Sequence, residues 1–165
     1  MFLFFIFITI AYENCTDKLL EFGFAIFDLQ LKTTSNTHII VSDYIYLKNG
    51  RYVADNRHKF NFGKSHYLSL KMALEHVLAV LDTPSSCLIG HNIKSDIRFL
   101  KSSSRKKFNL PVFDTQLIYK QVTLCENFLS LVKVLDEFGI SHSNLHNAGN
   151  DSHYTLEVFR KLANL

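Results

Sequence analysis

Asp96, His146 and Asp151 are the residues whose types and spacing could do chemistry. Asp96 lies in LIGHNIKSDIRFL, inside a helix expected to follow an apolar strand. Asp151 lies in LHNAGNDSHYTL, near the start of the last expected helix, and His146 precedes it by five residues. Carboxylates at the edges of strands and helices are oxygen ligands of the kind Mg²⁺ or Mn²⁺ prefers. A neighbouring imidazole can deprotonate water. Two such ions about 4 Å apart would clamp the attacking and leaving oxygens of a phosphodiester. Taken singly, each residue has a plainer use. An Asp early in a helix is usually a cap or a dipole partner, and a His beside Asn-Ala-Gly-Asn is usually a turn residue. Only the combination points to a metal-dependent site.

The elements that must position these residues follow from the apolar pattern. Met1–Ala11, MFLFFIFITIA, is too short to span a bilayer and is rich in Phe and Ile, so it is expected as a central strand. Its alternatives are the apolar part of a signal peptide or anchor, and a chain truncated upstream; no Lys or Arg precedes the run and no Ala-x-Ala follows it. Leu19–Leu31 is expected as a second strand, Thr33–Asn36 as a turn and His38–Leu47 as a third strand. Arg51–Lys64 has no clean period and is expected as a loop. Ser65–Leu81 has helical spacing with Ser65 as its N-cap. Ser86–Gly90 is a short strand, Ile93–Lys101 a helix, and Pro111–Phe113 a brief strand ending at Asp114. Leu117–Lys120 opens a short helix, Asn127–Phe138 forms a helix stopped by Gly139, and Asp151–Leu165 forms the last helix. This order gives an α/β fold: a mixed sheet of about five strands flanked by helices. The ribonuclease-H-like plan is one such arrangement, and periodicity alone does not select it.

Composition sets the bounds. The 165 residues suit a single domain over 1–165. Apolar residues make up 47% and charged residues 20%, which excludes wholesale disorder. The net charge of +3 permits a nucleic-acid partner without demanding one. Cys15, Cys87 and Cys125 have no CxxC spacing, which argues against a disulfide framework or a zinc ribbon. The expectation is an intracellular protein of cytoplasm or nucleus, with no membrane partner.

The chain resembles the DEDDh 3′–5′ exonucleases. GHNIKSD followed by IRFL is similar to that family's second block, a Gly-His-Asn turn leading into a helix with a metal-binding Asp. HNAGND is similar to the third block, a His and then an Asp five residues later. KNGRYVADNRHKFNFG, VFDTQLIYK and LHNAGNDSHYTL resemble a fungal branch named after a suppressor linked to messenger-RNA export. The resemblance covers nearly the whole chain. It implies a ribonuclease-H-like fold, Mg²⁺ or Mn²⁺ if the domain is active, Asp96 and Asp151 as metal carboxylates and His146 as general base. His91 and Asn92 match a structural turn, and Asp114 a common acidic position near a strand end.

The first block departs from that pattern. The family carries an Asp and, two residues later, a Glu on one face of the first strand, as a period of two dictates. Aligning Ala11-Tyr12-Glu13 onto the family's Ala-aromatic-Glu puts Ile8 and Ile10 at those positions; a slip of one puts Thr9 at the Asp position. Neither register supplies a carboxylate pair, and Glu13 lies beyond it. Asp96 and Asp151 alone form a weak Mg²⁺ site. The resemblance therefore implies either a degenerate, inactive relative with no cofactor or a chain whose true N-terminus is absent.

Two basic stretches remain. Arg98, Lys101, Arg105, Lys106 and Lys107 form one; Arg51, Arg57, His58, Lys59 and Lys64 form the other, interleaved with Tyr52, Phe60 and Phe62. Both suit phosphate contacts and base stacking, and both are equally the composition of solvated loops. Three readings stand: an exonuclease-like domain on single-stranded RNA or DNA with hydrolysis in doubt, a non-catalytic nucleic-acid or protein-binding module, and a structural module with an apolar anchor.

Overall fold

The computed structural model describes residues 4–13, 18–48, 53–104 and 110–164. Side chains of residues 4, 7–13 and 104 lie outside the described set. So do Cys15, Arg51, Arg105, Lys106 and Lys107, on which several sequence expectations fall.

Strand β1 (Phe4–Glu13) is followed by β2 (Lys18–Asp28) and β3 (Thr33–Val41). The three form an antiparallel meander. Strand β4 (Ser65–Leu68) leads into helix α1 (Leu70–Leu81). Then come β5 (Ser86–Gly90), α2 (Lys94–Ser104), β6 (Val112–Asp114), α3 (Thr115–Thr123), α4 (Leu131–Glu137) and α5 (Ala148–Ala163). The sheet order is β4-β3-β2-β1-β5-β6, with β4, β5 and β6 added in parallel. Strand β1 is therefore central, between β2 and β5, where a continuous apolar run belongs. The sheet has six strands and the ribonuclease-H-like plan.

Alternation along β2 sorts the core. Phe22 and Phe24 point to one face and pack with Ile6, Val77 and Leu81, where α1 and α2 cover the sheet. Ala25 and Phe27 point to the other and pack with Cys87, Ile89 and Leu156 of α5. A third cluster joins Tyr119 of α3, Val134 and Leu135 of α4, and Tyr154 and Val158 of α5.

Several element boundaries differ from the sequence expectation; α5, for one, begins at Ala148 rather than Asp151, and α3 spans Thr115–Thr123. Thr33–Asn36 is strand, paired in register with Asp28 back to Ala25. The turn lies before it, where the Asp28 carboxylate accepts from the N–H groups of Gln30 and Leu31 and Lys32 takes φ 53°. Strand β3 stops at Val41, because Ser42–Tyr44 winds into a 3₁₀ turn whose Asp43 accepts from Leu70 N–H. Residues 65–68 are strand, so Ser65 is no N-cap; Ser69 caps α1, accepting from Met72 N–H. The α4 helix begins at Leu131 rather than Asn127.

Candidate functional site

The N-terminus of α5 is built to sit on the sheet. Asn147 caps it, its side chain accepting from Asn150 N–H. Gly23 of β2 lies directly beneath: a Cβ there would come within 1.8 Å of the Ala148 carbonyl oxygen. Gly149 approaches in turn, since a Cβ on it would meet His38 and Phe60 at 2.7 Å. The Ala-Gly pair of the motif thus serves close approach of helix to strand.

The motif's asparagines hold the 53–64 segment. Asn147 Nδ2 donates to the carbonyls of Asn56 and Arg57. Asn150 Nδ2 donates to those of Lys59 and Asn144, while its Oδ1 accepts from Asn61 N–H. Asn56 Nδ2 returns a bond to Leu145 C=O. Two stretches nearly ninety positions apart in sequence, each part of the fungal-type resemblance, are therefore halves of one clasp.

Asp151 lies in the first turn of α5, and its Oδ1 accepts from His146 N–H at 3.2 Å. The exposed His146 holds the left-handed conformation, φ 64°. Burial pushes the Asp151 carboxyl up to about 8; the His146 N–H opposes the rise and the Glu21 charge adds to it. The usual pKa of such a group is 3.8, so the folded chain holds this proton more tightly than the unfolded one. Stability from this group is full below that usual value and is lost as pH rises towards about 8. Asp151→Asn should therefore match the natural chain in melting temperature in acid and exceed it at alkaline pH, in chelator. A gap that does not change with pH would contradict this.

Glu21 lies outside the motifs that carry Asp96, His146 and Asp151. It is fully buried on β2, and its Oε2 accepts from His38 Nε2 at 2.6 Å and from Ala148 N–H at 3.2 Å. His38 Nδ1 lies 2.8 Å from Ser65 Oγ. Among the described residues, Glu21 Oε1 has no hydrogen-bond partner, nor has Arg57 Nη1. The available signal was a lone carboxylate inside an apolar strand, which demands a partner wherever that strand is buried.

Asp96 lies in the first turn of α2. Helices α2 and α5 pack on opposite faces of the sheet, and both contact β1. The strand between the two carboxylate-bearing helices is thus the one that holds Ile8 and Ile10, paired in register with Phe24 and Phe22. Thr9 pairs with Gly23. None of these three residue types offers a carboxylate, so the donor set does not fit a two-metal centre. Among the described residues, no group of three or more His, Cys, Asp or Glu is arranged to hold a metal.

His91 and Asn92 form a tight connection. His91 Nε2 lies 2.9 Å from the Leu129 carbonyl and Nδ1 lies 3.0 Å from Thr115 Oγ1; burial lowers its pKa. Asn92, at φ 57°, donates its N–H to Asp114, which also caps α3. Of the basic residues, Arg98, Lys101, Lys59 and Lys64 are exposed. Arg57 differs: it is 2% exposed, and its guanidinium donates to Asp55 at 2.9 Å and to the Leu47 carbonyl. That position serves the interior of the fold rather than a phosphate on the surface.

A ribonuclease-H-like sheet with an Asp on the helix after β5 and a His–Asp pair at the start of the last helix defines an exonuclease-like domain. The chain belongs to the DEDDh family of the DNA polymerase III subunit epsilon-like C-terminal domain, whose model matches residues 5–162. It is 26% identical to Good for full DBP5 activity protein 2 of Saccharomyces cerevisiae, over 94% of this chain and 34% of that protein. It is 30% identical to the uncharacterized nucleolar protein C2C4.08 of Schizosaccharomyces pombe, over 77% of this chain and 56% of that one. The chain therefore spans about a third to a little over half of these curated relatives. Among solved structures, exonuclease I superposes with TM-score 0.67 at 14% identity, over 97% of this chain and 40% of that chain. A full-length 3′-exonuclease does so with TM-score 0.66 at 12% identity, over 98% and 60%. Among the described residues, no helix is long and apolar enough to cross a membrane.

Proposed function

We propose that this domain binds single-stranded nucleic acid, RNA or DNA, and has lost the hydrolytic step. The observation that carries the reading is the apolar first strand. Ile8 and Ile10 stand on β1, between the helices that bear Asp96 and Asp151. Deleting even one oriented hydrogen-bond donor from an active site typically costs about 100- to 1000-fold in rate. Replacing both bridging carboxylates removes the geometry on which two-metal catalysis depends. The exonuclease-like fold, the His146–Asp151 pairing and the exposed basic residues support retention of a nucleic-acid surface. Crystals of a structural relative, Escherichia coli exonuclease I, hold a dT13 oligonucleotide. A nuclear or cytoplasmic location accords with the nucleolar description of one relative.

The test compares the chain with an Ile8→Asp/Ile10→Glu variant on end-labelled single-stranded RNA and DNA, in Mn²⁺ and in chelator. The expected result is binding by both and trimming by the variant alone. Metal-dependent trimming by the natural chain, abolished in Asp151→Ala, would instead make it an active exonuclease. Absence of binding to either polymer would favour a protein-interaction or structural module.

A further inference from the structure

The clasp between α5 and the 53–64 segment fixes a loop and leaves His58 and Lys59 among its outward-facing polar side chains. Arg57 is buried against Asp55. Phe60 packs on His38 at 5.3 Å between ring centroids, and Phe62 stacks on His153 at 3.6 Å. The Asn61 side chain is held by Ser143 and Tyr154. His58 and Lys59, between these anchors, are exposed. His58 is steadied by the Tyr67 hydroxyl at 3.3 Å. The Lys59 ammonium makes no ion pair among the described residues, while its own carbonyl is tied at 2.9 Å to Asn150, the neighbour of Asp151. The fixed backbone at this exposed lysine removes in advance part of the ordering cost of a contact. The α5 N-terminus holds the backbones of two cationic residues, Arg57 through Asn147 and Lys59 through Asn150; Arg57 is buried, and Lys59 is the exposed one.

We infer that Lys59 is the residue by which this domain holds a phosphodiester of a single strand beside the α5 N-terminus, with Asn147 and Asn150 as its positioning residues. The inference rests on the proposed single-strand reading and goes further by placing the contact on one side chain, without a metal. Lys64, Arg98 and Lys101 are exposed as well, and no bond from the site helix fixes their backbones among the described residues.

The test is anisotropy of fluorescein-labelled oligo-dT and oligo-U with the full chain in chelator, over a range of salt concentrations. Lys59→Ala should weaken binding roughly three- to ten-fold at low salt and reduce the slope of log K against log salt by about 0.7, one phosphate contact on a single strand. Lys59→Arg should restore both. Lys71→Ala, at an 85% exposed position on α1, should change neither. Circular dichroism should show unchanged melting for all three, since Lys59 is exposed. If the natural chain binds and Lys59→Ala keeps its affinity and slope, the inference fails while the binding reading stands. If the natural chain binds neither oligonucleotide, both fail. If polyglutamate binds as tightly with the same dependence on Lys59, the site is one for acidic polypeptide and the inference is overturned.

Discussion

Gly23→Ala should destabilise the domain by more than about 3 kcal/mol, beyond the usual cost of overpacking a core. The new methyl group would stand 1.8 Å from the Ala148 oxygen, 2.1 Å from its carbonyl carbon and 2.4 Å from Gly149 N. All three are backbone atoms of the α5 N-terminus, so no side-chain rotation relieves the clash. The helix must lift from β2, which opens the Glu21 bond to Ala148 N–H and slackens the clasp. Gly139→Ala is the control. That glycine has φ 64° but nothing within 4 Å of a Cβ, so only the left-handed backbone penalises alanine, by about 1–2 kcal/mol. Denaturation midpoints should rank the natural chain first, Gly139→Ala second and Gly23→Ala well below. Equal midpoints for the two variants would contradict the seating of α5 described above.

Glu21→Ala should cost about 3–5 kcal/mol, the range for removing one partner of a buried pair. It strands His38 Nε2 and the Ala148 N–H where water cannot replace the lost acceptor, and leaves a cavity. Glu21→Gln keeps shape and one acceptor oxygen, and should be much milder. It also removes the charge that adds to the rise which burial imposes on the Asp151 carboxyl. The pH dependence of stability assigned to Asp151 should therefore move to lower pH in Glu21→Gln, in the metal-free protein. An unmoved pH profile would show that Glu21 acts on the helix alone and not on the Asp151 charge.

The sequence reveals those parts of the fold whose cause is local. The meander shows in the β-branched and aromatic runs, and α1 in the repeat of Ala73, Val77 and Leu81. What escapes a sequence reading is decided by partners far along the chain. Residues 65–68 continue the apolar spacing of α1, yet parallel pairing with β3 makes them strand. Thr33–Asn36 has the polarity of a turn, yet β2 holds it in register. The site divides likewise. Asp96, His146 and Asp151 stand out by spacing. The asparagines of the same motif look like turn residues until their bonds to residues 56–61 are seen. Glu21 hides within apolar neighbours, and Arg57 looks like surface charge although Asp55 and the Leu47 carbonyl draw its guanidinium inward.

The bond from Ala148 N–H to Glu21 joins residues 127 positions apart. It sets an order of events on the ribosome. The β1–β2–β3 ladder closes through neighbouring segments and can form early, whereas contacts of wide separation carry a loop-closure cost and come late. Until α5 has been synthesised, Glu21 and His38 have no helix above them, and Ala25, Phe27 and Ile89 present an open apolar face. The nascent domain is then a sheet covered on the α1 and α2 face alone, with a polar dyad on the other face, a form that invites misassociation. The last helix therefore closes the core and creates the His146–Asp151 pairing in a single step. A chain interrupted before that helix leaves one face of its sheet bare and lacks the His146–Asp151 pairing.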